Sequence, residues 1–464
     1  MTNICAVIFR NVLFLFSFLL LKPALAEPAV VIEWNSINKS LGITAKKTTL
    51  VQVLGEIRHQ TGWEIFLEPN LNPAISIKTN PKPASEALGL LLGSLRYTLK
   101  TQSGRPSRLS IFRNSASAAT NPIAEAPAKP AKLEGQIAVV LKNETTAKNL
   151  AKEFGAELIA YIKDANAARF RFGSEQDLKR IRNLLAKADG VEFIDDIFIY
   201  PRPAGPMIAR AGVLPISVNP INVDTKGMLI IGLIDSAVQV DAMDKPRFIL
   251  EQKFVGNAYE PGIDSPTHGT SMASIILRGL SNKDLGVKNS TARILPVDIY
   301  GPNPTTTSFD VAQGITLAVE GGAKIINLSL GGYQASPLLQ RIITTHHNNG
   351  VLFVGAAGND PVTTPHFPAA HPQVMAVTAT RPNGELTAYA NRGNFIDVAA
   401  RGTHPLRFGK RTYAVTGTST SSAYVSGLAA GLASHHQKKP REIRELIIEN
   451  RPFAPPKPKE EQKD

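Results

Sequence analysis

Apolar and polar positions divide the 464-residue chain into stretches of different period. Val12 to Leu21 is an almost unbroken apolar run, with Arg10 before it and Ala24-Leu25-Ala26 after it. Residues 33–113 then alternate between helical and strand spacing. Thr49 caps a helical pattern through Ile57, Trp63 to Leu67 and Ile75 to Ile77 read as strands, and Ala84 to Leu92 is a second amphipathic helix. Tyr97-Thr98-Leu99 is expected to pair with Leu109-Ser110-Ile111. Asn114 to Lys132 has no apolar period and is rich in Ala, Ser, Pro and Asn, so residues 114–134 read as an extended, flexible linker.

A second module follows at residues 135–201. Its order is strand (Ile137 to Leu141), helix (Thr145 to Phe154), strand (Glu157 to Ile162), strand (Ala168 to Phe172), helix (Ser174 to Ala188) and strand (Val191 to Tyr200). That is a split βαβ order. From residue 225 to 450 the pattern changes again. Continuous apolar runs of strand length, beginning with Met228 to Ile234, alternate with helical stretches such as Phe309 to Val319 and Gln340 to Asn348. Strands without alternation are buried on both faces, so this region is expected to be an α/β domain with a parallel sheet covered by helices. Arg441 to Asn450 closes it as a short amphipathic helix, and the Pro-, Lys- and Glu-rich residues 451–464 read as a disordered tail.

The first 26 residues read as a secretory signal: a positive charge, an apolar core and a small-x-small cleavage site. The rival reading is an uncleaved anchor. No later stretch supplies the ~20 apolar residues that a membrane span needs. Cys5, the one cysteine, lies inside this segment, so the mature chain is expected to hold no thiol and no disulfide. The formal charge is +13; Arg10 and Lys22 lie in the signal, leaving +11. A basic balance fits nucleic acid or anionic surfaces, but no nucleic-acid motif is present and the excess is spread over linkers and tail.

Three short segments break the structural monotony. Met228 to Ile234 ends on Asp235, at the end of a buried strand, where open α/β sheets place their sites. Thr267-His268-Gly269 opens a helix of small residues, and Gly417-Thr418-Ser419 opens another. Each alone has a plain structural reading: a strand-end cap, a structural histidine, an N-cap serine. In the order Asp, His, Ser they also supply what a nucleophilic serine requires. The histidine is the base, the carboxylate fixes its tautomer, and the helix start puts backbone N–H groups where an oxyanion forms.

On these residues the stretch from about 225 to 450 resembles the subtilisin-like serine peptidases (the S8 family). The resemblance implies a subtilisin-like fold, with Ser419 as nucleophile, His268 as general base and acid, Asp235 as its orienter, and Asn359 with the Ser419 N–H as the oxyanion hole. Ile325 to Gly332 is similar to the family's substrate-binding strand, and Val354 to Asn359 to the segment bearing the oxyanion donor. Ser329, Leu330, Gly331, Ala356, Ala357 and Gly358 would then bind substrate. Because these walls are Gly- and Ala-rich and uncharged, an apolar or aromatic residue is expected before the scissile bond. The sequence departs from the family at Ser236-Ala237, at Arg401 and at Ala423-Tyr424, where Pro-His is usual.

Residues 135–201, placed before this domain, resemble the family's inhibitory propeptides, with Val191 to Asp196 similar to their closing strand. Pro201 to Val213 would be the leader lying in the cleft. Residues 33–113 resemble the short N-terminal domain of secretins and TonB-dependent receptors, on Leu54, Thr61-Gly62-Trp63 and Ser85 to Tyr97. Together these imply a secreted, periplasmic endopeptidase whose partners are a protein or peptide substrate and, through residues 33–113, an envelope protein. The alternative is a catalytically silent subtilisin-like binding protein of the envelope. The resemblance implies no cofactor. Family members often hold calcium in surface loops, and no acidic cluster here maps onto such a site, so no metal residue is assigned.

Overall fold

The computed structural model describes residues 30–450, except 69–70, 72, 103–104, 117–120, 123–130, 204, 206, 209–212, 214 and 283–286. The segment read as a signal, the tail and most of the linker lie outside the described residues. The chain divides into two compact units, residues 1–120 and 121–464.

The first unit holds strands β1 (Val30–Asn35) and β2 (Ser40–Thr49), helix α1 (Leu50–Thr61), β3 (Glu64–Leu67), β4 (Ala74–Pro83), α2 (Ala84–Leu92), β5 (Arg96–Gln102) and β6 (Arg105–Phe112). A capping box starts α1: Gln52 N–H donates to Thr49 Oγ1, and Thr49 N–H donates back to Gln52 Oε1 at 3.1 Å. The hairpin pairs Tyr97 with Ile111 and Leu99 with Leu109, as the spacing predicts. One correction is needed at its start. β1 and β2 pair antiparallel ahead of α1 and complete a three-stranded sheet with β4, so residues 30–32, ahead of the expected start at 33, already belong to the module.

In the second unit, residues 132–201 form β7 (Lys132–Leu141), α3 (Glu144–Glu153), β8 (Glu157–Ile162), β9 (Ala167–Arg171), α4 (Glu175–Leu185) and β10 (Val191–Pro201). Lys132 to Glu134, expected in the linker, are the first residues of β7. The alternation along β7 explains its apolar density. Ile137, Val139 and Leu141 face α3 and α4, whereas Ala138 and Val140 face the catalytic-type domain and join its core with Ile197, Tyr200, Phe309 and Leu338. Both faces of this small sheet are therefore buried.

The remaining elements are β11 (Leu229–Asp235), β12 (Lys253–Phe254), α5 (His268–Leu280), β13 (Ala292–Asp298), β14 (Thr305–Thr307), α6 (Ser308–Glu320), β15 (Ala323–Leu328), α7 (Pro337–Asn348), β16 (Leu352–Ala356), β17 (Val374–Thr380), β18 (Val398–Arg401), β19 (Thr403–Phe408), β20 (Arg411–Thr416), α8 (Thr418–His436) and α9 (Pro440–Asn450). Seven parallel strands form one sheet in the order β12-β13-β11-β15-β16-β17-β18. One apolar core packs its face under α5, α8 and α9, and a second packs the opposite face under α6 and α7. The expected α/β architecture is thus the observed one. After β11 the chain adds β13 on one side and later β15 on the other, so the order reverses at β11. A crevice at the carboxyl ends is the usual outcome. Among the described residues no helix is long and apolar enough to cross a membrane.

Candidate active site

Asp235 ends β11 and is 1% exposed. His268 is the first residue of α5, whose N-cap Thr267 accepts from Thr270 N–H at 3.0 Å. His268 Nδ1 lies 2.9 and 2.8 Å from the two Asp235 oxygens. An ionised carboxylate can only accept, so Nδ1 carries the proton and Nε2 is left as the basic nitrogen. Ser236 holds the pair in register. Its N–H donates to Asp235 Oδ1 at 2.7 Å, and its hydroxyl accepts from Gly269 N–H at 3.0 Å. A Cβ on residue 269 would stand 1.9 Å from the Ser236 carbonyl oxygen, so only glycine lets the helix start come this close.

Ser419 is the second residue of α8, where the first-turn N–H groups have no partners within the helix. It is 8% exposed, and its Oγ donates to the Ser329 carbonyl at 3.2 Å rather than to His268. Ser329 follows β15, and Leu328 pairs with Ile234, so Ser329 and Asp235 stand level at the ends of neighbouring strands. The Ser329 hydroxyl donates to the Ser419 carbonyl at 3.0 Å and meets Ser422 Oγ at 3.0 Å. Behind it, buried Asn327 donates to Ser426 Oγ at 3.1 Å. The Ser419 turn is therefore tied to the strand that neighbours the Asp235 strand.

Asn359 lies in the turn after β16. Its Oδ1 accepts from Thr418 N–H at 2.9 Å and from Thr418 Oγ1 at 3.1 Å. A backbone N–H can only donate, which fixes the amide orientation. Nδ2 makes no hydrogen bond to the described residues and lies beside Gly417, 3.3 Å from where a Cβ there would stand. The Thr418 hydroxyl also accepts from Gly358 N–H at 3.1 Å. This threonine was not picked out by sequence reasoning, and its one signal is a hydroxyl beside the serine.

The expected substrate walls leave the sheet side by side, since Leu328 pairs with Gly355. Ser329 and Leu330 are buried on one side, and Ala356 and Ala357 on the other. Gly332 forms a two-way bridge with Phe367, at 2.8 and 2.6 Å. The space expected between Gly331 and Gly358 is occupied. A Cβ on Gly331 would lie 2.6 Å from His366 Cε1, and one on Gly358 would lie 3.0 Å from His366 Cδ2. Burial pushes the His366 imidazole down to about 4, so it is neutral near pH 7. The roomy pocket expected from Gly and Ala alone is corrected by a side chain that arrives from a later loop.

The second module reaches this crevice. Ile199–Pro201 pairs antiparallel with β14, and Tyr200 rests on Gly332, with a Cβ there 3.0 Å from Tyr200 Cε1. Arg202 N–H donates to the Pro304 carbonyl at 2.8 Å, and its guanidinium donates to the Gly301 carbonyl at 2.6 Å. Asp195 caps α7, accepting from Leu338 N–H at 3.0 Å and from the Ser336 hydroxyl. Beyond the crevice, Met207 and Ile208 pair antiparallel with Ala414 and Tyr413 on β20, the strand that leads to Ser419. Among the described residues no three His, Cys, Asp or Glu side chains converge to hold a metal ion.

With the geometry in place, comparison with known proteins identifies the class. Residues 226–462 match the model of the subtilase family, and residues 118–195 match that of the fervidolysin N-terminal prodomain. The chain belongs to the subtilase family. It is similar to a thermophilic serine proteinase of Bacillus sp. strain AK1, with 35% identity over 222 residues covering 47% of this chain and 55% of that protein. Thermitase of Thermoactinomyces vulgaris is 34% identical over 213 residues, covering 44% and 74%. Against the first of these the chain spans about half of the relative's length. Among solved structures, fervidolysin from Fervidobacterium pennivorans matches with a TM-score of 0.52 at 18% identity, over 70% of this chain and 58% of that one. At that identity the likeness shows the fold alone. Residues 33–113 lie outside both family models.

Proposed function

We propose that this chain is a secreted, periplasmic serine endopeptidase made with its own intramolecular inhibitor. One observation carries the reading: His268 Nδ1 is bonded to both oxygens of Asp235 at the carboxyl ends of the sheet strands, where Ser419 stands in the first turn of α8. Ser419 Oγ first rotates out of its bond to the Ser329 carbonyl toward His268 Nε2. It then gives its proton to that nitrogen while attacking the peptide carbonyl carbon. The resulting oxyanion takes hydrogen bonds from Asn359 Nδ2 and the Ser419 N–H, each such donor being worth about 3–4 kcal/mol of barrier. His268 returns the proton to the leaving amine, and water repeats the sequence on the acyl-enzyme. Peptide and water are the only co-substrates required.

Residues 132–201 act as the inhibitor. The paired strands on either side of Pro203 to Pro206 bring the chain to the crevice at both ends, and a tethered segment has a high effective concentration there. Residues 33–113 are read as a docking module of the kind found in secretins and TonB-dependent receptors, facing an envelope protein. A second reading, a catalytically silent binding protein, draws support from the Ser419 hydroxyl being bonded to Ser329 and not to His268. A fluorophosphonate probe separates the two. Wild type should label and show a new N-terminus between Tyr200 and Val213. Ser419→Ala should do neither, with its thermal transition unchanged. Labelling that survives in Ser419→Ala, or an unlabelled wild type, sinks the peptidase reading.

A further inference from the structure

The His366 side chain is not part of the Asp235–His268–Ser419 arrangement, yet it is buried at the centre of the expected substrate crevice. Its ring fills the gap between two backbone walls that the sheet delivers side by side. The contact is close on both: 2.6 Å to a Cβ position at Gly331 and 3.0 Å to one at Gly358. A side chain entering from the substrate would meet the imidazole where an open pocket would continue.

The plug is held from several directions. Phe367, its neighbour, is bridged to Gly332 through both backbone groups. The Tyr333 ring stands edge-on to the imidazole with centroids 5.3 Å apart, and the Tyr333 hydroxyl is fixed by Asp360. Asn391 anchors the opposite wall, donating to the Ala357 carbonyl at 2.9 Å and accepting from Asp360 N–H at 2.9 Å. Removing the ring from this setting would cost its packing contacts and the 3.3 Å approach of Nδ1 to the Ala356 carbonyl.

We propose that His366 is a specificity-determining residue that closes the pocket for the residue before the scissile bond, restricting it to Gly, Ala or Ser. The inference rests on the peptidase reading above. It replaces the expectation of an apolar or aromatic preference, which took no account of this side chain. The neutral imidazole presents no cation to attract an acidic side chain.

The test uses the purified full chain and a fluorogenic peptide series that varies only the residue before the bond. Wild type should show kcat/KM for Ala at least tenfold above that for Phe. His366→Gly should raise kcat/KM for Phe at least tenfold, mainly through KM, while Ala changes less than threefold. His366→Gln, which keeps the bulk, should retain the small-residue preference. If the variants do not fold, the wild-type ratio alone decides. A wild type that takes the fluorophosphonate but favours Phe over Ala overturns this proposal and spares the peptidase reading. So does a folded His366→Gly with an unchanged Phe-to-Ala ratio. A wild type that neither labels nor cleaves overturns both.

Discussion

Thr418 gives the sharpest test of how Asn359, the proposed oxyanion donor, is held. Replacing it with valine keeps the volume of a fully buried side chain and removes one hydroxyl. That hydroxyl makes two bonds of 3.1 Å, donating to Asn359 Oδ1 and accepting from Gly358 N–H. The Thr418 N–H still holds Oδ1 at 2.9 Å, so the amide loses one of two anchors. Deleting such a donor outright costs roughly a hundred- to a thousandfold in kcat, a figure taken from subtilisin, a member of the same family, and not worked from this structure. Losing one anchor should cost about 1 kcal/mol in the transition state, or about fivefold. The orphaned Gly358 N–H should separately cost about 1–3 kcal/mol of stability, lowering Tm by several degrees. The assay is a double-mutant cycle of Thr418→Val and Asn359→Ala, reading kcat and Tm for all four proteins. On the Asn359→Ala background the threonine change should no longer affect kcat, while its Tm penalty persists. A full fivefold loss on that background would refute the anchoring argument and place the hydroxyl's role in the helix start.

Two further outcomes follow from buried groups. Asp195→Ala leaves Leu338 N–H and the Ser336 hydroxyl without their carboxylate at the start of α7, so it should destabilise the Ser419→Ala protein by about 1–3 kcal/mol and speed proteolysis within residues 132–201; unchanged melting and cleavage would rule the cap out as a clasp. His404, buried with Nε2 donating to the Arg401 carbonyl at 2.9 Å, is held down to about 4 by desolvation. The unfolded chain, titrating near ~6.5, binds the extra proton between those values, so stability should fall as pH drops through that window by up to about 3 kcal/mol for this residue. Melting curves between pH 7.5 and 4.5 should be flatter for His404→Asn, and equal slopes would contradict the assignment.

What the sequence disclosed depends on whether the signal was local. The elements of residues 132–201 were legible to within a few residues because each is a clean alternation or a capped helix. β1 and β2 were not. Leu41, Ile43 and Ala45 alternate and are fully buried, but the register shifts between Ala45 and Thr48, where Lys46-Lys47 breaks the pattern. The β19–β20 hairpin, with a proline and with Arg407, Lys410 and Arg411, was also missed. Asp235, His268, Asn359 and Ser419 stood out as candidates because each lies where an apolar element meets a small or polar turn. His366 had no such signal. It lies in a Pro-rich loop, and only the bridge from Phe367 back to Gly332 carries it into the crevice. A pocket's walls can be read from glycines and alanines, but what fills it comes from elsewhere in the chain.

The small residues around the site also set its precision. A Cβ on Gly279 would lie 2.0 Å from the Tyr424 carbonyl, and one on Gly427 would lie 1.9 Å from that of Ile276, so α5 and α8 meet backbone to backbone. One helix begins at His268 and the other beside Ser419. Any side chain at these crossings would drive the helices apart by more than an ångström and carry His268 and Ser419 with them. Misplacement on that scale costs about a hundredfold in rate. In sequence these glycines read as the texture of buried helices; in the fold they fix the spacing of the two helix starts. The Ser236, Ser329 and Thr418 hydroxyls then adjust orientation within that spacing, each bonded to a residue of the site or the turn beside it. Position is thus set by backbone contact, and aim by single hydrogen bonds. That division is why Thr418→Val should slow the reaction only modestly, whereas a bulky residue at Gly427 should disrupt both the packing and the site.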